Sequence, residues 1–222
     1  MKLRFVIAES ALELIPKPLW GDPSVRADAK RRGEEAGNIL LDRSTHHSAM
    51  LKLSDGHRRG RPDLVHLTLL NVTSTPLHQE GNVQVYIHTI DDTVFEFGEG
   101  ARPPKSYARF RNLMEKLFVE RPEEGLVSVR DATLPQLLRV VGADYSVGLS
   151  VQGISTKLED LASDLARREN PAVMVGGFPR GHFFPRDIKA FDSMVRIHDK
   201  PLDAHVVAAR VTYEVEKRLA KP

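Results

Sequence analysis

Ala172-Val173-Met174-Val175 runs straight into Gly176-Gly177-Phe178-Pro179-Arg180-Gly181, a short apolar strand signal that empties into a glycine-rich turn. A buried strand ending in glycines is how α/β proteins bring main chain up to a ligand. Glycine has no Cβ to hold the ligand off, and it tolerates φ > 0. The spacing is not G-x-G-x-x-G, and Pro179 stands where a phosphate-cradling helix would offer its N–H groups. The turn therefore reads as a ligand wall and argues against a nicotinamide dinucleotide. A plain tight turn is the competing reading.

Two more junctions of the same kind lie nearby. Val147-Gly148-Leu149-Ser150-Val151-Gln152-Gly153 precedes the first, and Ile197-His198-Asp199-Lys200-Pro201-Leu202-Asp203-Ala204-His205-Val206 follows it. In a parallel sheet, three such junctions converge at the carboxyl ends of their strands, where α/β sheets bind ligands. The surrounding pattern supports that sheet. From Leu126 onward, strand and helix signals alternate: Leu126–Val129, Leu134–Val141, Tyr145–Ser150, Lys157–Arg168, Ala172–Val175, Ser193–Ile197 and Leu202–Leu219. Thr156-x-x-Glu159 reads as a capping box for the Lys157 helix.

Toward the N-terminus, Leu3–Ala8 reads as a buried strand, Ile39-Leu40-Leu41 as a second strand and His46–Leu53 as a short helix. Asp22-Pro23 and Pro62-Asp63 are helix starts. Val83–Ile90 and Val94–Phe97 predict a hairpin. Ser106 is placed to cap a helix over Tyr107–Val119. The fold class is α/β, a mostly parallel sheet with helices on both faces. It forms a single domain over residues 1–222, with a hairpin elaboration around residues 76–105.

Composition narrows the function. The 222 residues are 41% hydrophobic and 28% charged, and no apolar stretch reaches the ~20 residues needed to span a bilayer. With no cysteine in the chain, disulfides, thiol nucleophiles and zinc-thiolate sites are excluded and a cytoplasmic location is expected. The histidines show no metal-ligand spacing, so no metal is expected, and no G-x-S-x-G elbow is present. His66 and His88 fall in apolar segments and read as core histidines.

The net charge of +2 hides local basic surface. Arg59-Gly60-Arg61-Pro62-Asp63 joins two arginine forks suited to phosphate with a glycine that lets backbone approach. Alternatively it is a solvated turn in which Asp63 steadies the helix start and pairs with a neighbouring arginine. Arg102-Pro103-Pro104-Lys105-Ser106-Tyr107-Ala108-Arg109 adds a basic rim to a stiff proline turn, with Tyr107 either stacking on a base or half in the core.

Taken in order, these stretches resemble the SPOUT-class methyltransferases that act on N1 of a pseudouridine in small-subunit ribosomal RNA. This is a ribosome-biogenesis family of archaea and the eukaryotic nucleolus. The matching runs also include Leu41-Asp42 with His46-His47-Ser48-Ala49-Met50, Thr75-Pro76-Leu77, Tyr86-Ile87-His88-Thr89 and Arg109-Phe110-Arg111-Asn112-Leu113-Met114. The resemblance implies a C-terminal trefoil knot, a homodimer and S-adenosylmethionine as cofactor. It places cofactor contacts at Leu149, Ser150, Gly153, Gly176, Gly177, Gly181, Ile197, Leu202, Ala204 and Val206. RNA contacts carry over to Arg61, Arg102, Lys105 and Arg109, and Arg59 joins them through its fork. Lys105 stands where relatives can carry arginine, which keeps charge but loses bidentate geometry. Arg61 is expected to hold the target nucleotide and Asp63 is the candidate proton acceptor. The expected partners are small-subunit (16S) rRNA, a second copy of the chain and other ribosome assembly factors, with no membrane. The alternative is a non-catalytic RNA-binding assembly factor of the same fold.

Overall fold

The first strand, β1 (Leu3–Ser10), buries its side chains on both faces. Phe5 and Ile7 enter one core, Val6 and Ala8 the other. Burial on both faces is why its sequence is continuously apolar rather than alternating. The structure is a computed structural model that describes residues 1–219, so the last three residues of the expected domain span lie outside it. The further strands are β2 (Val83–Thr89), β3 (Thr93–Phe97), β4 (Val127–Asp131), β5 (Tyr145–Ser155), β6 (Pro171–Gly176) and β7 (Ser193–Arg196). Among the described residues they form one sheet in the order β4-β3-β2-β1-β6-β5-β7. The block from β2 to β7 is parallel, and β3 and β4 extend it antiparallel. The expected hairpin is β2–β3, and it continues the central sheet because β2 pairs along β1.

The helices are α1 (Pro23–Arg32), α2 (Arg43–Met50), α3 (Pro62–Thr73), α4 (Pro76–Gln79), α5 (Tyr107–Glu120), α6 (Leu134–Val140), α7 (Leu158–Ala166), α8 (Pro185–Ile188) and α9 (Ala204–Leu219). Both proline helix starts are present, and Asp22 caps α1 by accepting from the Ser24 N–H. One sheet face packs under α3, α5, α7 and α9, the other under α6 and the aromatic loop holding Phe178 and Phe183.

Three local expectations are corrected. Ile39-Leu40-Leu41 is extended but makes a single antiparallel bridge, Leu40 to Leu14, rather than a strand, because a turn over Ala36–Asn38 and the start of α2 at Arg43 cut it short; Leu40 fills the main core, Ile39 and Leu41 a separate one against α1 and α2. The Thr156–Glu159 capping box does not form. Lys157 is the N-cap of α7, and the Thr156 hydroxyl donates to the Ile154 carbonyl instead. Ser106 occupies the N-cap of α5 without a side-chain cap bond.

The sheet order positions the site. The chain passes from β5 through α7 to β6, then crosses back over β5 to lay β7 on its far side. The carboxyl ends of β5, β6 and β7 thus stand side by side with loops leaving in opposing directions. That is the crevice geometry in which open α/β sheets take ligands.

Candidate functional site

A cavity of about 420 Å³ opens at those three strand ends, within the range of small-molecule sites. Leu149 and Ser150 of β5, Val175 and Gly176 of β6 and Val195 and Arg196 of β7 form its floor. The segment from Phe178 to Phe183 forms one wall, and Lys200–Ala204 leading into α9 forms another. Apolar groups (Leu149, Val175, Ile197, Leu202, Val207) occupy the interior, while Arg180, His182, Lys200 and Asp203 add polar groups. A nucleoside with a charged amino-acid tail needs this combination, an apolar slot for the ring system and polar groups for the rest. The residues present fit S-adenosylmethionine.

Leu149, Ser150, Gly176, Gly181, Ile197, Leu202 and Ala204 line the cavity as the resemblance implied. Gly153, Gly177 and Val206 are not among its lining residues. The two glycines are required for a different reason: protein backbone, not ligand, comes close. A Cβ at Gly153 would lie 2.5 Å from backbone atoms of Val195, and one at Gly177 would lie 2.8 Å from the Cα of Ser10. Sequence reasoning missed Phe178, Pro179, His182, Phe183, Lys200 and Asp203, although all lie in or beside the runs it singled out.

The basic turn divides its three arginines among three tasks. Arg59 is turned inward, with its Nε 2.8 Å from Glu13 and a second nitrogen on the other carboxylate oxygen. Its side chain is 16% exposed, so the placement of Arg59 at an RNA surface is corrected: Glu13 consumes its fork. Arg61 remains part exposed and forks onto Asp63 at 2.7 and 2.8 Å. Burial opposes ionisation of Asp63, yet the Arg61 guanidinium outweighs it and holds the carboxyl below its ordinary range. Asp63 is therefore a weak base already engaged by a cation, which suits orienting Arg61 better than accepting a proton.

Arg58 is the residue that sequence reasoning passed over. It is buried, pairs with Glu9, donates to the His182 carbonyl and lies between the rings of Phe178 and Phe184.

Arg102, Lys105 and Arg109 are exposed, and no ion pair to them occurs among the described residues. Their turn is fixed from beneath. His66 Nε2 donates to the Pro104 carbonyl at 2.7 Å, and its ring stacks on Phe110 at 4.4 Å. Tyr107 does not stack outward: its hydroxyl donates to Asp42, and burial together with Asp42 raises its pKa. Tyr107 also feels the charge of Asp63, so the basic rim begins beside the Arg61 turn. His88 is a core histidine as expected, accepting from the Glu9 N–H and bonding Asp92. Among the described residues no histidine and carboxylate group could hold a metal ion.

A donor-sized crevice at parallel strand ends, walled by a glycine turn that lacks a phosphate-binding helix, is that of an α/β methyltransferase. Comparison with known proteins makes this specific. The family model described as EMG1/NEP1 methyltransferase matches residues 5–216, and the chain belongs to that family. It is 36% identical over 219 residues to the ribosomal RNA small subunit methyltransferase Nep1 of Staphylothermus marinus, covering 96% of this chain and 95% of that one. The Nep1 of Pyrobaculum neutrophilum is 39% identical over 216 residues, covering 95% and 96%. The crystal structure of Archaeoglobus fulgidus Nep1 bound to S-adenosylhomocysteine matches with a TM-score of 0.87 at 35% identity, covering 98% of each chain. The expected family and the mostly parallel α/β fold are thereby borne out.

Proposed function

We propose that this chain transfers a methyl group from S-adenosylmethionine to N1 of a pseudouridine in small-subunit ribosomal RNA during ribosome biogenesis. When bound, the cofactor supplies an electrophilic methyl group on its sulfonium. The protein's own tasks are then to hold donor and base in line and to favour loss of the N1 proton. Arg61 and the Arg102, Lys105 and Arg109 rim hold a nucleotide turned out of its stack, and their charge favours the deprotonated base. Asp63 keeps the Arg61 guanidinium aimed.

The observation that carries this reading is the join between pocket and rim. Leu64, which lines the pocket, donates its N–H to the Arg61 carbonyl at 3.2 Å. Asp203, which also lines the pocket, adds to the negative charge that favours ionised Arg61. The proposal includes a homodimer. Tyr213 of α9 stays exposed in a groove it shares with Leu70 and Asn71 of α3, and Leu67 of α3 is exposed too; a second copy would cover them.

Calorimetric titration with S-adenosylhomocysteine tests the reading. One molecule is expected to bind per chain, with or without RNA. Absence of binding at millimolar ligand would sink it.

A further inference from the structure

A buried group of charges sits behind the pocket wall and makes no contact with the cavity. It is built around Glu9, at the carboxyl end of β1, where the β1–β2 register slips between Ile7 and Ser10. Glu9 is fully buried and adopts φ +49°, a left-handed conformation costly for a residue with a side chain. That backbone turn aims the carboxylate at the 178–184 segment. One oxygen accepts the Phe184 N–H at 2.7 Å, and the other pairs with Arg58 at 2.5 Å. Arg58 completes the grip. Its Cζ lies 4.1 Å from the ring centroid of Phe178 and 4.4 Å from that of Phe184, and it donates to the His182 carbonyl. Between those contacts the wall passes through Gly181 at φ +98°, where an added Cβ would lie 2.9 Å from Arg58.

We propose that Arg58 and Glu9 are positioning residues for the methyl donor, locking the 178–184 wall into its binding shape before the donor arrives. The inference rests on the reading of the cavity as the donor site. Its physical basis is population. A wall that is only partly in the competent shape weakens apparent affinity by that fraction. Releasing Arg58 removes a carbonyl contact and two ring contacts from one short segment, and with them the bond to Glu9, whose other oxygen holds the Phe184 N–H. The RNA-facing turn is tied to the donor wall separately, by main chain: the Arg61 N–H donates to the Ala11 carbonyl and the Ala11 N–H to the Gly177 carbonyl.

The clamp is also titratable. The groups facing Glu9 are Arg58, the Asp187 carboxylate of α8 and the His88 ring of β2; Arg186 and Asp92 stand behind them. The Glu9 carboxyl stands raised to about 8: burial is the largest cause and Asp187 adds to it, against the opposing pull of the Phe184 N–H and Arg58. Below that pH Glu9 keeps its proton and faces Asp187 without a charge of its own. Above it two buried carboxylates face each other, with Arg58 against Glu9 and Arg186 3.5 Å from Asp187. A raised folded pKa means that the stabilisation is fully present at low pH and is lost as pH rises through about 8.

The test is calorimetric affinity for S-adenosylhomocysteine, alongside melting temperature and affinity for an rRNA fragment. Arg58→Lys keeps the charge and loses the fork and the ring contacts; it is expected to bind the ligand at least tenfold more weakly, with unchanged RNA affinity. Arg59→Lys is the control, because it breaks a comparable buried fork in the same turn, onto Glu13, away from the wall. It is expected to lower the melting temperature and to leave ligand affinity within twofold. The wild type is expected to lose affinity between pH 7 and pH 9, and Glu9→Gln to flatten that loss. If Arg58→Lys binds as tightly as the wild type, or weakens no more than Arg59→Lys, the inference is overturned. If the wild type itself does not bind, the reading of the cavity has failed instead.

Discussion

Replacing Arg102, Lys105 and Arg109 together by alanine is expected to weaken binding of a small-subunit rRNA fragment by roughly 100-fold at moderate salt, and to reduce the slope of log affinity against log salt by about 2. The magnitude follows from what these side chains lack. Each is exposed and none pairs with an acid among the described residues, so their charge is free to displace counterions from phosphate. Their support lies elsewhere, in the His66 bond to Pro104 and the Phe110 stack, and survives the substitutions. Melting temperature and S-adenosylhomocysteine affinity are therefore expected to stay near wild type. A filter-binding series over several salt concentrations reads both the affinity and the slope.

The second large effect is expected at Gly177. The turn here is stitched to β1 by main chain alone. The Gly177 N–H donates to the Ala8 carbonyl at 2.7 Å, and its own carbonyl accepts from the Ala11 N–H at 2.8 Å. A methyl group on Gly177 would collide with Ser10 Oγ and stand 2.8 Å from the Ser10 Cα and 2.9 Å from Ile7 Cγ2. The hydroxyl can rotate, but the Cα cannot move without breaking the β1–β6 join. Overpacking of this kind costs about 1–3 kcal/mol, so Gly177→Ala is expected to melt roughly 5–10 °C lower. Because the displaced segment leads directly into the donor wall, affinity for S-adenosylhomocysteine is expected to fall at least tenfold as well. Thermal melts and calorimetry on the same preparation read both.

These two sites also show how far the sequence could be read. The rim was legible because Arg102, Lys105 and Arg109 follow a stiff proline turn with no acid among them, and exposure left their charge unspent. The sheet was legible because β1 and β6 are short runs apolar on nearly every position and strand signals alternate with helix starts. The glycines were legible only as places of close approach. Gly176 and Gly181 meet the cavity, whereas Gly153 and Gly177 meet the backbone of β7 and of β1, and nothing local distinguishes a ligand from a neighbouring strand.

The arginines teach the same lesson. Arg58, Arg59 and Arg61 lie within four positions, yet their fates are set by Glu9, Glu13 and Asp63, of which only Asp63 is close in sequence. The two glutamates reach the turn from the end of β1 and the segment beyond it. Their pairing depends on topology, so Arg59 looked like an RNA contact and Arg58 drew no reading of its own. Ile39-Leu40-Leu41 failed as a strand for a related reason. Its side chains alternate as a strand's do, but a turn before it and α2 after it leave room for one bridge only, and an apolar triplet alone does not show that.

Methyl transfer itself tests the central claim most directly. The protein, labelled S-adenosylmethionine and two otherwise identical rRNA fragments are incubated together, one with pseudouridine and one with uridine at the target position. Label is expected in the pseudouridine fragment alone, and on N1 of that base. Equal labelling of both fragments, or none in either while both cofactor and RNA bind, would contradict the account.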